Sequence, residues 1–167
     1  MSDPAGHAAR WKAFYAPLRE AEEHLTLLRL RLERALPVRP RGAPPRHPVP
    51  DAGPLHALHR WCGVMTTALH AATGYARVEG HAAGPVPTPS VPLGRGAGTS
   101  VRERLERVQY LVAASLVYAE AFCPGVGDPR LEARFFVLQA ELDHIFSHVN
   151  LDEAEKTLVA LTRQVDP

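Results

Sequence analysis

The chain has little of what announces a chemistry. Its 167 residues contain only two cysteines, Cys62 and Cys123, and neither has metal-ligand spacing. They read as two thiols in a reducing compartment rather than as a disulfide or a metal site. No charge of one sign dominates: the formal net charge is +1, which removes a global electrostatic case for nucleic acid or an anionic membrane. No apolar run reaches the roughly 20 residues of a membrane span. The opening MSDPAGHAARWK lacks the apolar region of a signal peptide. The expected location is therefore the cytoplasm, with no membrane partner. The one glycine-rich run, GRGAG, follows no strand and precedes no Lys-Ser or Lys-Thr, so it is no phosphate loop. No nucleophile motif, strand pattern or internal repeat is present. Lysine is scarce beside arginine, 2 against 17, which we read as genome composition rather than function.

What the chain does have is heptads. Phe14, Leu18, Ala21, Leu25, Leu28, Leu32 and Ala35 alternate steps of four and three. So do Leu58, Cys62, Met65, Leu69, Ala72 and Ala76, then Val101, Leu105, Val108, Val112, Ser115, Ala119 and Phe122, then Leu131, Phe135, Leu138, Leu142, Ile145 and Val149. Each set lies on one side of an α-helix. The pattern restarts out of phase at Leu151, Ala154, Leu158, Leu161 and Val165. The expected fold is all-α, an antiparallel four-helix bundle with a short fifth C-terminal helix. It forms one domain over 1–167, with helices near 4–36, 54–78, 100–123, 129–149 and 151–165. Two long Pro/Gly-rich loops, 37–53 and 80–98, join the first three helices. Ser100 with Glu103 and Asn150 with Glu153 have capping-box spacing, and Asp128-Pro129 and Asp51 are further caps. Pro17 falls inside the first stripe without breaking its phase, so it marks a kink or a helix start.

Two helices carry more apolar surface than one stripe uses. Leu27 and Leu30 project away from the first stripe. The run YLVAASLVYAEAFC in the third helix holds one charge, and Val117 lies behind its stripe. A helix apolar on all sides is buried on all sides. The straps, the fifth helix or a second subunit must therefore cover these faces. The expected function is a non-enzymatic interaction, adaptor or regulatory protein. It would be a homo-oligomer formed through Leu27, Leu30, Leu111, Val117 and Tyr118, or would take another protein partner.

Nine histidines carry an enzyme alternative, with a divalent metal ion as the implied cofactor. Glu141, His144 and His148 lie on one stretch of the fourth helix; His59 and His70 lie on the second, with His56 nearby. In a simple up-down arrangement His70, His144, Glu20 and His24 share one height. Their directions fit a bundle-core metal poorly: at 100° per residue, Glu141, His148 and His144 stand roughly 80°, 100° and 140° from the core centre. The order of His59, then the late pair His144 and His148, is loosely similar to that of the DinB-like metal-dependent bundles. That resemblance implies those three as ligands. It covers order only, since Val149 and Asn150 stand where many members carry His-Arg-Gly-Gln after the pair.

A second alternative is nucleic-acid binding through Arg39, Arg41 and Arg46 of the strap, with Arg29, Arg31 and Arg34 before them. Arg102, Arg104 and Arg107 open the third helix. An up-down bundle puts the two arginine groups at opposite ends. Few aromatics interleave with them, which argues against a single-strand stacking platform.

Overall fold

The computed structural model describes residues 4–36, 53–79, 99–122 and 129–165, with side chains described over 14–36, 53–74, 99–117 and 133–163. The Pro/Gly-rich loops, Cys123, Arg39, Arg41, Arg46 and the side chain of Tyr118 lie outside that description.

Five helices form where the periodicity puts them: α1 (Pro4–Ala35), α2 (Gly53–Glu79), α3 (Val101–Phe122), α4 (Pro129–His148) and α5 (Leu151–Val165). α1 runs through Pro17 as one helix, so the missing proline N–H leaves the Ala13 carbonyl without its helical donor. The caps form as the spacing implies. The Glu103 amide donates to Ser100 Oγ at 3.1 Å, and the Glu153 amide donates to Asn150 Oδ1 at 3.2 Å.

The stripes meet in one core. Phe14, Leu18, Leu25, Leu28, Leu32, Leu58, Met65, Leu69, Leu105, Val108, Phe135 and Leu138 are all fully buried. Each leucine or valine removed from water contributes roughly 1.5–3 kcal/mol. Leu151, Ala154, Leu158 and Leu161 join the same core, so α5 is part of the domain.

α1 packs on α2 and α3; α4 packs on α2 and α3; the pairs α1/α4 and α2/α3 are the diagonals of the square. Direction follows from paired side chains. Glu33 meets His59 and Glu22 meets His70, so α2 runs opposite to α1. Glu20 meets Arg107 and His24 meets Arg104, so α3 also runs opposite to α1. α2 and α3 are therefore parallel, and the chain returns the length of the bundle between them. Every adjacent pair remains antiparallel, yet the order is up-down-down-up. The simple up-down sequence of directions is corrected here: a long connection permits either return, and heptads do not choose between them. As a result, the arginines ending α1 and those opening α3 share one end, over which α5 lies.

Candidate interaction surface

Four helix pairs are joined by charge. Between α1 and α2, Glu33 and Glu22 bind His59 and His70 at 3.0 and 2.6 Å. Between α1 and α3, the Arg107 Nε donates to Glu20 Oε1 at 3.0 Å. Beside it, the Arg104 guanidinium donates to His24 Nδ1 at 3.2 Å. A donating arginine requires a lone pair on Nδ1, so the neutral ring carries its proton on Nε2, which lies 3.6 Å from Glu20 Oε1. Arg107 thus bonds across to Glu20 of the neighbouring helix. At the bundle end, Arg31 forks onto both oxygens of Glu155 at 2.9 and 2.7 Å. Glu155 Oε2 also accepts the Val101 amide at 2.9 Å, so α5 supplies a cap for α3. Arg102 pairs with Asp152 alongside.

Burial and charge tune these groups. Burial first, then the Arg104 and Arg107 charges, hold His24 below its usual imidazole range against the pull of Glu20. Burial and neighbouring Arg31 lower Arg104, which is only 4% exposed. For Glu155, burial opposes ionisation, but the Arg31 hydrogen bonds, the Val101 amide and the Arg31 charge together leave its carboxyl below the usual range. Burial pushes the Cys62 thiol up to about 12, so it stays protonated and unreactive at neutral pH.

The metal candidates do not converge. His59 and His70 face the carboxylates of α1 rather than α4. His144 and His148 stack on the exposed side of α4 with centroids 4.2 Å apart, and His148 Nδ1–H donates to the His144 carbonyl at 2.9 Å. Glu141 is half-buried on the same helix. Among the described residues no three His, Cys, Asp or Glu side chains form a group that could hold a metal ion. The reason is directional: the positions that point inward on α2 and α4 are occupied by apolar side chains, with Cys62 the one ligating type among those described.

The basic end is likewise neutralised in place. Arg31, Arg102 and Arg107 each carry a carboxylate partner, and Arg29 has Glu33 at 3.7 Å. The two arginine groups do share an end, contrary to the up-down expectation, but acids of α1 and α5 are interleaved with them.

Of the apolar positions expected to face a partner, Leu111 is 4% exposed and belongs to the core. It lies on the flank of α3 that closes against α1, so it cannot present itself outward. Leu27 is half-buried, while Leu30 and Val117 are exposed. The largest exposed apolar side chain among the described residues is one the heptad reading passed over: Phe136, at 73%. Val137 beside it and Val64 on α2 are also exposed. The signal was present as Phe135-Phe136-Val137, three large apolar residues where the core stripe uses only the first. Val137 and Ala133 form, with Ala68, Ala71 and Arg134, an open groove of about 370 Å³ between α2 and α4. Ser115 Oγ donates to the Phe14 carbonyl and the Phe14 ring meets Phe135, which places these three in one layer. Val117 on α3 and Phe136 on α4 therefore leave the bundle at nearly the same height. No helix among the described residues is long and apolar enough to cross a membrane, so this surface is no part of a span. Comparison with protein families, with curated proteins and with solved structures gives no match.

Proposed function

We propose that the protein is a non-enzymatic helical-bundle interaction protein that self-associates through exposed apolar helix faces. The observation that supports this reading is the outer surface of α4, where Phe136 and Val137 are exposed side by side, next to an alanine-lined groove toward α2. Apolar side chains scattered singly over a surface need no explanation, whereas a cluster of them marks an interaction site. The polar flanks of α1, dressed by histidine–glutamate and arginine–glutamate pairs, leave α2, α3 and α4 as the associating side. The role is then that of an assembly or adaptor component, with affinity set by a few central side chains.

Native mass spectrometry and sedimentation of the full chain over a concentration series test the reading. A mass that rises with concentration to a defined oligomer is expected. Val117→Glu, folded by circular dichroism, should shift that equilibrium toward monomer by about tenfold in dissociation constant. A wild-type chain that stays monomeric at every concentration overturns self-association.

A further inference from the structure

We propose that acid loosens α3 from α1 while leaving α2 in place, because the histidines on the two seams face charges of opposite sign. On the α2 seam, His59 and His70 meet carboxylates of α1, Glu33 at 3.0 Å and Glu22 at 2.6 Å. Arg29 and Arg19 stand beside those carboxylates at 3.7 and 3.8 Å. A proton on either ring puts a cation directly against a carboxylate, which favours the contact. On the α3 seam, His24 meets arginines instead. Arg104 donates to its Nδ1 at 3.2 Å. Arg107, at 3.0 Å, and His24 Nε2, at 3.6 Å, share one oxygen of Glu20. A second proton on that ring must take the lone pair that holds Arg104.

Sign and burial act together. With His24 charged, His24, Arg104 and Arg107 are three cations gathered about Glu20. Glu155 of α5 is already engaged by Arg31, whose own charge bears on Arg104. The His24 side chain is 16% exposed and Arg104 is buried, so water screens their repulsion poorly. His59 and His70 are 35% and 58% exposed, so protonation there adds little to the α2 seam. Arg104 sits in the first turn of α3, and Leu105 and Val108 follow it on the core side. Displacing Arg104 therefore loosens α3 from its N-terminal half. Opening returns the His24 ring to water, where it binds its proton more readily, so acid draws the opening on.

The test is amide hydrogen exchange of the full chain, expressed as protection factors between pH 7.5 and 5. Protection over 104–112 should fall by up to about tenfold per pH unit below about 6.5, the slope of one proton taken up on opening. Protection over 59–70 should hold. His24→Gln keeps an acceptor for Arg104 without a titrating group and should remove most of the fall. In the wild type the fall should track protonation of the His24 ring, followed by nitrogen NMR. An equal fall over 59–70, no fall over 104–112, or a fall that survives His24→Gln overturns the proposal. Where the variant fails to fold, the wild type decides alone. A His24 ring that takes its proton without loss of α3 protection, or α3 protection lost before it does so, overturns it as well.

Discussion

His24 is the residue whose surroundings make the sharpest demand. It stands on α1 between a glutamate one turn away and two arginines of α3, and it accepts from Arg104. Protonating Nδ1 would replace that bond with a contact between two cations. The folded state therefore prefers the neutral ring, which is why the pKa lies below 6.5. An unfolded chain binds the proton more readily, so stability falls as the pH drops below about 6.5 and levels off below the folded-state pKa. Above that window His24 contributes no pH dependence. His24→Gln keeps an acceptor for Arg104 but cannot titrate. Urea midpoints between pH 7.5 and 5 should then fall less steeply in the variant than in wild type. Parallel slopes would show that His24 is not the group being protonated. The same cluster separates what spacing reveals from what it conceals: Glu20 and His24 are one turn apart and read directly as a pair, while the Arg104 that decides the tautomer comes from another helix, 80 residues along the chain.

Among the elements, α5 is held by the most directional contacts. Its burial through Leu151, Leu158 and Leu161 is non-specific, but Glu155 fixes its position by taking the Arg31 fork and the first amide of α3 together. Glu155→Gln removes the charge and half of the fork. Hydrogen bonds to charged groups contribute about 1.5–3 kcal/mol, and partial exposure discounts this to about 1–2 kcal/mol. The urea midpoint should fall accordingly, with faster amide exchange at Val101 and across α5. If exchange rises elsewhere and not there, Glu155 is not the clamp. Its lowered pKa adds a signature: the contribution is complete above about 4.5 and is lost as the pH falls through the folded value, a loss that the glutamine variant cannot show. Helix limits and caps were legible in the sequence because they depend on neighbours three or four residues away, as with Ser100 and Asn150. The direction of α3 was not, since the long segment before it permits return at either end. Nor was the burial of Leu111: it lies off the centre of the α3 stripe, and only the closeness of α1 on that flank encloses it. Phe136 and Val137 were overlooked for the converse reason, because a stripe accounts for what faces the core and is silent about what is left outside.

For the whole molecule, these features divide the surface in two. One side is α1 with its ion pairs and the α5 end, where acids and bases cancel locally. The other is α4 with the outer flanks of α2 and α3, where Phe136, Val137, Val64 and Val117 are exposed among polar residues such as Asp143 and His144. With a formal charge of +1, net repulsion opposes association only weakly at neutral pH. Association of folded chains alone stabilises them by mass action, so the melting temperature must depend on protein concentration. Above the dissociation constant, each tenfold rise in concentration adds about 1.4 kcal/mol per dimer, or about 0.7 kcal/mol per chain. For a chain of this size that raises Tm by about 2 °C per decade. Wild type should show this slope by calorimetry or circular dichroism. Phe136→Glu should show it only at concentrations about tenfold higher, with a matching Tm in dilute solution, because Phe136 is already solvent-exposed in the single chain. A variant that melts lower even when dilute would place Phe136 in the stability of the monomer instead. A flat wild-type Tm across two decades of concentration would mean that the apolar side of the bundle does not take a second copy.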